Sequence, residues 1–157
     1  MLALALGGAL ALAPCAAAAA PSDVDQLERL LALEQRLESL YETALARDAI
    51  EPQLGETLLQ HEREHARGLE EALGARGRRA PRATVPPPRL GAALTTRAGF
   101  ARYASGVETE TVHAYQDVLA TLRNTRLLLP LGSIMTSGAQ HVVALRQAGG
   151  EDLLAPA

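Results

Sequence analysis

His61-Glu62-Arg63-Glu64-His65 sets two histidines one helical turn apart around a glutamate. As H-E-x-x-H, the stretch matches helices whose two imidazoles hold zinc while the carboxylate activates water. Its second half, Glu62-x-x-His65, is also the pair that some helical bundles use to hold two metal ions. Positions i and i+3 share one helix face, so both side chains reach the same point. A third reading makes the five residues solvated surface charge. The zinc-protease reading needs a third ligand downstream and a sheet to form the cleft, and the sequence offers no convincing strand. It would also make His61 essential, whereas a bundle site needs Glu62 and His65 and leaves His61, at the margin of the apolar face, incidental.

The elements that must position these residues are helices. Ala and Leu dominate a composition that is 48% hydrophobic but only 3% aromatic, which suits helices better than strands. Ser22 with Asp25 resembles a capping box opening a helix over about 22–48. At 100° per residue, Leu27, Leu30, Leu31, Leu33, Leu37, Leu40, Tyr41, Ala44 and Leu45 form its apolar face. Glu34 falls in the middle of that face and Glu38 at its edge. A second helix over about 52–74 starts at Pro52 and stops at Gly74, with Glu62 and His65 among Leu54, Leu58, Leu69 and Leu73. Residues 75–90, ARGRRAPRATVPPPRL, form an Arg/Pro-rich connection, read as a solvated linker. A third helix over about 92–124 and a fourth over about 130–149 complete an all-α chain. Four amphipathic helices with one long central connection make an antiparallel four-helix bundle.

The two halves repeat each other. LEQRLESLYETAL (33–45) aligns with VETETVHAYQDVL (107–119), so Glu34 meets Glu108 and Tyr41 meets Tyr115. HEREHARGL (61–69) aligns with SGAQHVVAL (137–145), so His65 meets His141, while Glu62 meets Gly138. A di-metal carboxylate bundle takes one Glu from each of two helices and one Glu-x-x-His from each of the others. This sequence supplies Glu34, Glu62, His65, Glu108 and His141 in that order and lacks the glutamate at 138. The competing reading of the same five residues is a metal-free network of buried Glu–His pairs. Tyr41 and Tyr115 are read as core tyrosines ahead of hydrogen-bond donors or redox residues. Glu110 and His113 are placed on the solvent side.

On LEQRLESLY, HEREHARGLEEALG, VETETVHAY and SGAQHVVALR, residues 22–149 resemble secreted bacterial proteins of the ferritin-like superfamily. The resemblance implies a di-iron or di-manganese centre when all ligands are present, with the two E-x-x-H glutamates bridging the metals. Gly138 departs from that pattern, so the expectation is a weakened dinuclear or mononuclear iron or manganese site. Any associated activity would be oxidation of iron or dioxygen-linked redox chemistry. The alternative class is a metal-free bundle with a binding or structural role in the envelope.

The bulk numbers limit the rest. A chain of 157 residues is one domain's worth, and a net charge of −3 gives nucleic acid nothing to bind. All 15 basic residues are Arg. Residues 1–20, MLALALGGALALAPCAAAAA, resemble a signal peptide, followed by a bundle over 21–157. The expected location is secreted, periplasmic or envelope-bound, with no transmembrane span in the mature chain and homodimer formation left open. The leader has no Arg or Lys, which suggests a true start upstream. Leu12-Ala13-Pro14-Cys15 resembles a lipoprotein box and would put a lipid anchor at Cys15, although proline before the cysteine is unusual there.

Overall fold

The computed structural model describes residues 21–75, 91, 96–151 and 153. The leader with Cys15, and residues 76–90 of the Arg/Pro-rich connection, lie outside them. Four helices carry the described chain: α1 (Asp23–Ala46), α2 (Pro52–Gly74), α3 (Arg97–Thr121) and α4 (Leu128–Ala148). No strand occurs among the described residues.

Helix ends are set by named side chains. Ser22 accepts from Asp25 N and the Asp25 carboxylate accepts in return from Ser22 N at 3.0 Å, the reciprocal capping box read from sequence. Glu51 accepts from Leu54 N at 2.8 Å and Pro52 opens α2, where its missing N–H costs nothing. The α1–α2 turn is tight. A Cβ on Gly55 would lie 2.7 Å from Ile50 Cγ2 and 2.8 Å from Leu45 Cδ2, so any larger residue there would force these side chains to shift.

The third helix differs most from its expected span of 92–124. Its N-cap is Thr96, whose hydroxyl accepts from Gly99 N at 2.9 Å; residues 92–95 are outside the described set. It stops at Thr121 because the Asp23 carboxylate captures the next free amides, Arg123 N at 2.9 Å and Asn124 N at 2.8 Å. A 3-10 turn at Thr125–Leu127 then leads into α4, which begins two residues before Pro130. The stretch Thr125–Ala148 is long and apolar enough to cross a membrane by length and composition alone. It packs on α3 and delivers Leu131, His141 and Leu145 to the interior.

α1 packs chiefly on α2, α3 on α4, and the pairs meet along α1 and α3. The core divides into two apolar clusters. One gathers Leu37, Leu40, Tyr41, Leu58, Phe100, Ala104 and Leu145; the other gathers Leu27, Leu30, Leu31, Leu69, Leu73, Tyr115, Val118 and Leu131. On every helix the change from one cluster to the other passes through the residues singled out from sequence: Glu34 on α1, Glu62 on α2, Glu108 on α3 and His141 on α4. The bundle thus holds a polar layer between two apolar ones. Each fully buried Leu contributes roughly 1.5–3 kcal/mol, so the apolar layers can carry the cost of burying charge between them.

Candidate metal centre

The structure brings all five sequence-designated residues together. Glu34, Glu62 and Glu108 are each 1% exposed and His141 is 4% exposed, while the His65 side chain retains 12%. Their donor atoms form two overlapping trios, Glu34–Glu62–His65 and Glu62–Glu108–His141, each with one ligand atom per residue within 4.8 Å of the others. Glu62 belongs to both. His65 Nδ1 lies 3.4 Å from Glu62 Oε2 and 3.5 Å from Glu34 Oε2. His141 Nδ1 lies 2.9 Å from Glu62 Oε1 and 3.3 Å from Glu108 Oε1.

These short distances are not all hydrogen bonds. Glu34 Oε2, Glu62 Oε1 and His141 Nδ1 are buried yet find no hydrogen-bond partner among the described residues. A buried polar atom left alone costs about 1–3 kcal/mol, so three in one cluster require a reason. His141 Nδ1 and Glu62 Oε1 approach to 2.9 Å without hydrogen-bond alignment. Atoms that converge without facing each other satisfy a shared third partner, and the donor set of carboxylate oxygens and imidazole Nδ1 fits a divalent transition metal. The residues present therefore fit the metal centre that the resemblance implies.

Tyrosines tie the trios together crosswise. Tyr41 on α1 donates to Glu108 on α3 at 2.5 Å, and Tyr115 on α3 donates to Glu34 on α1 at 2.5 Å. Packing was the expected role for both, and both are indeed buried, but each also fixes one carboxylate oxygen of the opposite helix pair. Phenol donation to an anionic acceptor is short and strong, and it orients the carboxylate's remaining oxygen.

At the missing glutamate, Gly138 lines a cavity of about 10 Å³ together with Glu34, Glu62, His65, Glu108 and Thr111. That is room for about one water. A Cβ on Gly138 would sit 3.2 Å from Val112 Cγ2 and 3.9 Å from Glu108 Oε2, so position 138 faces the centre as the repeat alignment expects.

Sequence reasoning set His61 aside as incidental, at the margin of the apolar face, and the structure places it against the cluster. His61 is half-buried, with Nδ1 3.0 Å from His141 Nε2. No local signal marked it, because its partner lies on another helix. The other assignments stand where they were expected, with Glu110 and His113 exposed and Glu38 half-buried beside the site.

Burial dominates the electrostatics. Desolvation raises Glu34 to about 8, reinforced by the neighbouring Glu62 carboxylate. Glu62 resists the same desolvation and titrates below the ordinary carboxylate range, because Glu34, His141 and His65 all crowd its anion and favour it. Burial disfavours charge on both histidines, but bonds to the carboxylates outweigh it, raising His65 to about 10 and His141 to about 9. A group whose folded pKa is raised stabilises the fold below its unfolded value and loses that contribution as pH climbs through the folded one. For the histidines the window opens at 6.5 and closes at about 9 to 10; for Glu34 it runs from 4.5 to about 8. Glu62 acts oppositely, its contribution being lost below 4.5. The metal-free protein is therefore expected to melt several degrees lower at pH 9 than at pH 6.5. Thermal unfolding across that range checks it. A divalent metal replaces the titrating protons, so metal-loaded protein should show a much flatter profile; a flat profile without metal would contradict the proton assignments.

The model of the ferritin-like domain matches residues 22–151. The chain belongs to the ferritin-like domain family. Among solved structures, this ferritin-like chain is similar to a conserved hypothetical protein, rv2844, from Mycobacterium tuberculosis. The two are 21% identical with a TM-score of 0.70, over 80% of this chain and 95% of that one. At that identity the likeness speaks for the ferritin-like fold alone. No curated protein matches the chain.

Proposed function

We propose that this ferritin-like protein binds iron or manganese through Glu34, Glu62, His65, Glu108 and His141. The observation that carries the reading is the pair of trios sharing Glu62, with buried donor atoms that satisfy no partner of their own. Glu34, Glu62 and His65 would hold one ion, and Glu62, Glu108 and His141 the other. Such a centre, when loaded, supplies one-electron redox chemistry towards dioxygen. Three carboxylates against two divalent ions leave one positive charge unbalanced (+4 − 3 = +1). The void beside Gly138 would admit one water or hydroxide to that charge. The second ion is accordingly the weaker one.

His65 also lies within ion-pair distance of both Glu34 and Glu62, which supports a second reading: a metal-free polar network that is purely structural. Loading the purified chain with Fe(II) or Mn(II) and measuring bound metal separates the two. The expected result is saturable uptake of about two ions per chain, the first much the tighter. Uptake near zero with either metal would sink the metal-binding reading.

The same proposal places the protein outside the cytoplasmic membrane. Its support is the uncharged, small-residue stretch over 1–20, which has the character of a secretory leader.

A further inference from the structure

We propose that His61 is a positioning residue of this centre, accepting a hydrogen bond from His141 and thereby holding the His141 Nδ1 towards Glu62 and Glu108. The inference rests on the metal-binding reading above. The His61 and His141 rings are 12° from coplanar with centroids 5.2 Å apart, and their facing nitrogens, Nδ1 and Nε2, are 3.0 Å apart. Face-to-face stacking would bring the centroids closer than that. The separation is a hydrogen-bond length plus the two ring radii, so the imidazoles meet edge to edge, in line.

The direction of this bond follows from the other side of the His141 ring. Its Nδ1 faces only carboxylate oxygens, Glu62 Oε1 at 2.9 Å and Glu108 Oε1 at 3.3 Å. Nδ1 thus either carries a proton between those anions or offers its lone pair to a cation there. With a cation bound at Nδ1, Nε2 must keep its hydrogen, because an imidazole with neither nitrogen protonated is inaccessible in water. In the cation-bound state His61 Nδ1 is therefore the acceptor, which leaves the His61 proton on Nε2. Metal-ligating histidines generally donate their distal N–H to such an acceptor, and losing it weakens metal binding about 10–100-fold.

Ser137 Oγ is the other group near His141 Nε2, at 3.3 Å. In the repeat alignment Ser137 occupies the position equivalent to His61. Both equivalent positions thus converge on the histidine of the half that has Gly138 in place of glutamate, and His61 makes the shorter contact. The brace acts on the Glu62–Glu108–His141 trio and not on Glu34–Glu62–His65. His61 should therefore set the affinity of one ion and leave the other alone.

The test uses the full chain and three forms: wild type, His61→Ala and His61→Asn. Asparagine places an amide oxygen where His61 Nδ1 sits and so preserves an acceptor. In metal-free wild type labelled with ¹⁵N, a nitrogen–nitrogen coupling across the His61–His141 bond is expected, and with Zn(II) at the centre the shared proton should sit on His141 Nε2. Titration with Mn(II) should show one ion bound about 10–100-fold more weakly in His61→Ala, the other unchanged, and most of the loss recovered in His61→Asn. A His141 Nε2 without a proton in the Zn(II)-loaded form, no coupling in metal-free wild type, or equal Mn(II) affinities in wild type and His61→Ala overturns the proposal. Wild type that shows the coupling but takes up no Mn(II) or Fe(II) overturns the metal reading itself and with it the role given to the bond.

Discussion

Glu62→Gln is expected to remove both metal ions, while Glu34→Gln and Glu108→Gln each spare one. Glutamine matches the volume of glutamate, so the layer keeps its packing and only the anionic donor is lost. Glu62 is the one carboxylate common to both trios; Glu34 serves the first alone and Glu108 the second alone. Removing it should weaken each ion by about 100-fold or more, beyond the effect of losing an outer partner. The same change strips His65 and His141 of an anion within 3.4 Å and 2.9 Å respectively. Their raised pKa values should therefore fall, which histidine NMR titration would register independently of metal. If Glu62→Gln lost no more metal than Glu34→Gln, the shared-ligand geometry would be wrong.

Gly138→Glu carries the second large effect, and its sign depends on metal. Without metal, a fourth carboxylate must enter a cavity of about 10 Å³ already faced by Glu34, Glu62 and Glu108. The new Cβ also presses on Val112 Cγ2, 3.2 Å away. Crowding and unpaired charge should cost a few kcal/mol, more than the roughly 1 kcal/mol gained by replacing a helical glycine. With metal, the added carboxylate balances the four positive charges and completes the ligand set. The variant should melt below wild type when metal-free and above it when loaded, and should bind the second ion more tightly. Gly138→Ala is the control: it gains helix propensity, adds no ligand, and should leave metal stoichiometry unchanged. A Gly138→Glu protein that binds metal like Gly138→Ala would show that position 138 does not address the centre.

The cluster was legible because its residues obey helical arithmetic. A glutamate at the middle of an otherwise apolar face, as at Glu34, has to be either paired or bound, and the second half of the chain repeats the anomaly at Glu108. The helix count, and the ends of α1 and α2, were readable from Ser22, Pro52 and Gly74, since capping is a local property. What failed to show was tertiary. The end of α3 is dictated by Asp23, 100 residues away in sequence from Arg123. The tyrosines cross from one helix pair to the other over separations of 67 and 81 residues, and nothing in the Glu-to-Tyr spacing reveals that each bonds its counterpart's glutamate. His61 was discounted for the same reason. On its own helix it sits at the edge of the apolar face, and its significance comes from a ring 80 residues later.

The crossed Tyr–Glu bonds have a consequence for assembly. Each helical hairpin carries the carboxylate that the other hairpin's phenol must orient, so neither half contains a finished site. A chain whose hairpins had formed but docked out of register would keep its helices and most of its apolar burial while losing both oriented carboxylates together. If the centre takes up metal as proposed, uptake would act as proofreading of the docked state, because the ion would reward only the arrangement in which each hairpin has found the other.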